Sequence, residues 1–121
     1  MTQDEQYVRE RLLDLTSCYG RPRLWESIAN ALAYKENKAI LRRFVLEDSS
    51  MNVQCMAARI YARLRGGDPI EGDPVLTHPS ASIRDCTLEG AADVGDKDLI
   101  RYYEGDRDAE IAAAAQDYLG E

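Results

Sequence analysis

Apolar residues recur along this chain at helical spacing and almost nowhere at the alternating spacing of strands. Val8, Leu12, Leu15 and Tyr19 follow steps of four, three and four, which is one face of a first helix. Gly20 ends it and Pro22 prevents its continuation. Leu24, Trp25, Ile28, Ala31 and Leu32 share one side of a second helix, and Trp25 is expected in the core with them. Ile40, Leu41, Phe44 and Val45 mark a third helix near residues 37–46. Val53, Met56, Ala57, Ile60 and Leu64 mark a fourth, stopped by Gly66-Gly67. No hairpin turn of the Asn-Gly or Asp-Gly kind interrupts the pattern.

The second half repeats the fourth helix. Ile83, Cys86, Thr87 and Gly90, then Ile111, Ala114, Ala115 and Tyr118, carry the same offsets as Val53, Met56, Ala57 and Ile60. Val53, Ile83 and Ile111 lie 30 and 28 residues apart, a period that predicts a stacked helical array. Asp48 and Asp106 occupy expected N-cap positions, where a carboxylate accepts from free helical N–H groups. In the middle unit Pro79 takes the first helical position and leaves His78 as the cap. Asp68-Pro69 and Asp73-Pro74 punctuate the linker over residues 66–74.

These residues carry a family resemblance. His78-Pro79-Ser80-Ala81-Ser82-Ile83-Arg84, with Leu88, Ala91-Ala92 and Val94-Gly95-Asp96, resembles the HEAT-like repeats of phycobilisome lyases. Asp106 to Ile111 with Ala113-Ala114-Ala115 and Leu119-Gly120 resembles a further repeat, and residues 40–66 match more loosely. Family members usually place Arg directly after the Val or Ile; Arg84 does so here, whereas Gln54 and Ala112 stand at the other two positions. The resemblance implies an all-α fold, a short α-solenoid of about three HEAT-like helix pairs. Residues 36–67, 68–95 and 96–120 would be the repeats and residues 1–35 an N-terminal helical hairpin, all in one domain. A stacked array of this kind lines its concave side with the second helices. The outward positions expected there are Gln54, Ala58, Tyr61 and Arg65, then Arg84, Asp85, Leu88 and Glu89, then Ala112 and Gln116. The thin surface of Ala112 to Ala115 suits close packing of a neighbouring helix. The family spans lyase subunits, scaffolds, glycosylases and binding proteins, so resemblance implies fold more than activity. An enzyme or enzyme subunit related to the bilin lyases is the rival expectation to a binding protein.

Charge sharpens the functional expectation. Residues 1–66 hold eleven Lys/Arg against eight Asp/Glu, and residues 67–121 hold four against fourteen. The balance is therefore +3 and −10, within a net charge of −7. An acidic half repels a phosphate backbone, so nucleic acid is a poor partner and a basic protein surface a good one. A small inhibitor or immunity-type protein fits that size and charge. The expected partner-binding residues are Tyr61, Arg84, Glu89, Tyr102, Tyr103, Asp106, Asp108 and Glu110. Tyrosines are favoured anchors and carboxylates favoured rims at such surfaces.

Catalytic, metal and membrane chemistry have little support in the sequence. His78 is the single histidine, with no Ser or Cys pattern beside it that reads as a nucleophile–base pair. Asp93-x-x-Asp96-x-Asp98 lacks the twelve-residue loop and terminal Glu of a calcium hand, so neither metal nor cofactor is expected. Three widely spaced cysteines (Cys18, Cys55 and Cys86) read as small buried residues in a reducing cytoplasm. The polar N-terminus reads as no secretory signal, and no apolar run nears the roughly 18 residues of a membrane span.

Overall fold

The computed structural model describes residues 1–18 and 20–120; Tyr19, placed above on the first apolar face, lies outside them. The described residues form α1 (Gln3–Thr16), α2 (Pro22–Leu32), a short 3₁₀ turn (Lys35–Asn37), α3 (Lys38–Glu47), α4 (Met51–Arg63), α5 (Ala81–Val94), α6 (Lys97–Glu104) and α7 (Ala109–Leu119). The fold is all-α among these residues, and helices pack mainly on their neighbours in sequence. In addition α1 packs on α3 and α4, and α7 on α5. No helix among them is long and apolar enough to cross a membrane.

The apolar stripes meet as the periodicity predicts. Val8, Leu12, Leu15, Leu32, Leu41, Val45, Val53, Ile60, Ile83 and Leu99 all enter one buried cluster. Tyr118, expected on the stripe of α7, is instead 50% exposed, and α2 departs from the pattern as well. It packs principally on α1, so Ala29 and Leu32 are buried while Leu24 is exposed and Trp25 stays partly exposed rather than in the core.

The helix caps correct the sequence reading by two residues. The N-caps are Ser50 for α4, Ser80 for α5 and Asp108 for α7, not Asp48, His78 and Asp106. The earlier residues instead turn the chain into the cap. Asp48 Oδ1 accepts from Ser50 N at 2.8 Å, His78 Nδ1 from Ser80 N at 3.0 Å, and Asp106 Oδ1 from Asp108 N at 2.8 Å. Three loops thus share one hydrogen-bonded turn at the same offset from the helix start.

The variation after Val53, Ile83 and Ile111 has a structural reason. Arg84 Nη1 donates to its own loop at the His78 and Pro79 carbonyls, 3.0 and 2.9 Å, while Nε and Nη2 fork onto the next loop's Asp106. Gln54 Nε2 makes the first contact, to the Asp48 carbonyl at 2.7 Å. The loop that follows α4 presents His78 where Asp106 stands after α5, so a guanidinium at position 54 would find no carboxylate there. Asp48 takes its fork from Arg9 on α1, with Nε–Oδ2 at 2.8 Å.

The middle unit departs from the expected helix pair. Residues 64–80 form turns without an α-helix. Pro69 and Pro74 each remove a backbone donor, and Gly66, Gly67 and Gly72 adopt positive φ, which together prevent a helical run. Val75 and Leu76 of this segment are fully buried and pack where a first helix would.

α4 and α5 make the tightest seam. Arg59 pairs with Glu89, Arg63 with Asp93, and just past the two helix ends Arg65 meets Asp96, so contacts advance together and the two helices run parallel. Gly90 is what permits their approach. A Cβ there would stand 2.2 Å from the Arg59 carbonyl oxygen and 2.9 Å from the Ala62 Cβ.

Candidate groove on the face of α2, α4 and α5

An open groove of about 770 Å³ runs along α2, α4 and α5. Trp25 and Glu26 line one wall, Cys55, Met56 and Arg59 the floor, and Cys86, Glu89 and Asp93 the other wall. A smaller hollow of about 560 Å³ between α1 and α3 is lined by Glu5, Arg43, Phe44, Glu47 and Asp48.

Arg59 joins the two walls. Its guanidinium lies 4.2 Å from the centre of the Trp25 ring, in cation–π range. Nε and Nη2 reach Asp93 at 2.8 and 2.9 Å, and Nη1 reaches Glu89 at 3.2 Å. Burial would lower the Arg59 pKa, but Asp93 and Glu89 hold it above its ordinary value. Arg63, one turn on, reaches Glu26 at 3.2 Å and Asp93 at 3.6 Å. Its Nη1 is buried and makes no hydrogen bond among the described residues.

α5 answers with Asp85, Glu89 and Asp93, four residues apart and therefore on one helix face. Burial raises the Glu89 carboxyl, Arg59 opposes, and Asp85 and Asp93 push it up again. Three carboxylates thus stand at this lip, with Arg59 against Glu89 and Asp93 and Arg63 against Asp93. Tyr118 of α7 is raised by burial and by the same Glu89 and Asp85, so it borders this edge. Cys55 of the floor and Cys86 of the facing wall stand across the α4–α5 seam from each other. Cys86 is held above its ordinary pKa by that neighbour, and Cys55 below.

The residues expected at a partner surface divide sharply. Tyr61 is 4% exposed, and its hydroxyl donates to Asp73 at 2.7 Å. Tyr103 is fully buried, donates to the Leu76 carbonyl at 2.6 Å and meets the Thr87 hydroxyl at 2.6 Å. Arg84 and Asp106 are buried against each other. Glu89 lines the groove. Tyr102 is 37% exposed beside Tyr103, Asp108 caps α7, and Glu110 is exposed in its first turn. Among the outward positions expected on the second helices, Ala58, Tyr61, Arg65, Arg84 and Leu88 are buried, because α4 and α5 are each covered on several sides; Asp85 is exposed.

Part of the charge asymmetry is met within the molecule. Lys38, Arg59, Arg63 and Arg65 of the basic half pair with Asp68, Glu89, Asp93 and Asp96 of the acidic half. Trp25, Arg59, Asp93 and the Cys55–Cys86 pair were not singled out as a site from sequence. Their signal was the repeat period itself, since Cys55 and Cys86 stand 31 residues apart on successive parallel helices. Comparisons with known protein families, with characterised proteins and with solved structures find no match for this chain.

Proposed function

We propose that this chain is a short HEAT-like helical array that binds a basic segment of another protein along the acidic lip of the α2–α4–α5 groove. The observation that carries this reading is the Asp85–Glu89–Asp93 row on one face of α5, three carboxylates met by only two cations, Arg59 and Arg63, with Asp85 left exposed. A lysine or arginine side chain entering there gains a carboxylate that is already desolvated. Trp25 supplies a flat aromatic wall for the aliphatic stem. The three loops with the same turn into the helix, and the fork of Arg84, support the repeat reading.

Immobilised protein exposed to host extract at low salt should retain a basic protein. Asp85→Lys, a change at an exposed position, should lose it, while Glu110→Lys on α7 should keep it. The association rate should fall as salt shortens the screening length from about 10 Å at 0.1 M to about 3 Å at 1 M. Equal retention by wild type and Asp85→Lys, or a rate indifferent to salt, would move the binding surface away from this groove.

A further inference from the structure

All three cysteines of the chain, distant in sequence, line the one groove. They are not equivalent there. Cys18 is 6% exposed and its thiol donates to the Asp14 carbonyl at 3.1 Å. Cys55 and Cys86 are partly exposed and stand four residues before Arg59 and Gly90, which touch across the parallel α4–α5 seam, so the two cysteines face each other one turn earlier. One turn beyond them Gly90 lets the α5 backbone lie against the Arg59 carbonyl. Ordinary helix pairs stand about 8–10 Å apart. A seam drawn in this closely brings facing cysteines towards the roughly 4.4–6.8 Å Cα separation that a disulfide requires.

We propose that Cys55 and Cys86 are a redox-active dithiol that a hydroperoxide converts to an intramolecular disulfide across the α4–α5 seam. Cys55 is the attacking group. Its neighbour Cys86 shifts it towards the thiolate, the nucleophilic form, while Cys86 is shifted towards the thiol. The Cys55 sulfur attacks one peroxide oxygen, the O–O bond breaks, and water leaves; Cys55 becomes the sulfenic acid. The Cys86 sulfur then attacks the Cys55 sulfur, the S–O bond breaks, and the hydroxide departs as a second water with the Cys86 proton. Two thiols and one hydrogen peroxide give one disulfide and two waters. This chemistry does not require a partner in the groove, so its test and that of the binding reading are separate.

The test treats the full chain with hydrogen peroxide, alkylates the remaining thiols and maps the peptides by mass. Reactive thiols should fall from three to one, leaving Cys18, with Cys55 and Cys86 in one cross-linked peptide that dithiothreitol releases. In Cys86→Ser the reaction should stop at a sulfenic acid on Cys55, trapped by dimedone. In Cys55→Ser no disulfide should form, and dimedone labelling of Cys86 should be slower than that of Cys55 in Cys86→Ser, because burial, Glu89 and Asp85 still disfavour the Cys86 thiolate once the Cys55 contribution is gone. Cys18→Ser should behave as the wild type. Oxidation of all three cysteines at one common rate, or cross-links only between molecules, would overturn the proposal. So would an unlinked, stable sulfenic acid on Cys55 in the wild-type chain.

Discussion

Arg84 and Asp106 are joined by two parallel hydrogen bonds, Nε–Oδ2 at 2.9 Å and Nη2–Oδ1 at 3.0 Å, with 6% and 5% of their side chains exposed. Their fork ties the start of α5 to the loop before α7, and Asp106 also holds the turn into Asp108. Removing either partner leaves a buried charge unanswered, which costs about 3–5 kcal/mol. Asp106→Ala should therefore unfold at much lower urea than wild type. Asp108→Ala, which loses only a helix cap, should cost about 1 kcal/mol. The order is checked by the two unfolding midpoints, and a larger loss at Asp108 would contradict the fork as the main support.

Gly90→Ala should be destabilising although alanine is the better helix former by about 1 kcal/mol. The new Cβ would meet the Arg59 carbonyl at 2.2 Å, and a backbone oxygen cannot step aside as a side chain can. Overpacking of this kind costs about 1–3 kcal/mol or more. Thermal unfolding of the variant beside Ala92→Gly, on the same helix, would separate the seam from simple helix propensity.

Tyr103→Phe should cost about 1–3 kcal/mol, because the Leu76 carbonyl and Thr87 hydroxyl lose a buried partner. Tyr102→Phe should leave stability within about 0.5 kcal/mol, as surface changes do. Calorimetry on the pair decides it. Two adjacent tyrosines would then show one structural role and one surface role.

Stability should fall on acidification in two stages. His78 is held below its usual pKa by burial and by Arg84, so the fold favours the neutral ring. Its contribution is complete above the unfolded value near 6.5 and is lost as pH falls through the lower folded value. Protonation also removes the Nδ1 acceptor from the Ser80 N–H. Asp48 and Asp96 are held low by Arg9 and Arg65; in Asp106, burial pulls upward but Arg84 and the Asp108 N–H prevail. Those contributions are complete above about 3.9 and disappear as pH falls further. Glu89, held high, works in the opposite sense and gains from protonation. His78→Asn keeps an acceptor for Ser80 and should flatten the first stage alone, measured as urea midpoints from pH 7.5 to 3.

Much of this fold is legible from the apolar spacing, since Val53, Ile83 and Ile111 each bury at the same point of their helices. The caps were displaced because Asp48 and Asp106 are chemically good caps, and nothing local distinguishes them from the Ser50 and Asp108 that follow. Only the Arg9 and Arg84 forks, made by residues 39 and 22 positions away, assign them their place. The groove was hidden for the same reason. Arg59 meets Asp93 across 34 residues, and Trp25 joins Arg59 from a helix that composition alone would bury. The −10 balance of residues 67–121 was plain, but its counter-charges came from the other half of the chain.

Those cross-half ion pairs have a direction in time as well as in space. Lys38, Arg59, Arg63 and Arg65 precede Asp68, Glu89, Asp93 and Asp96, so a chain emerging from the ribosome presents its cations first. The segment through residue 66 carries a net charge of only +3, and the carboxylates that pair with these four cations are written into the next 30 residues. α5 thus carries the charge that complements α4, and neither α6 nor α7 contributes to these pairs.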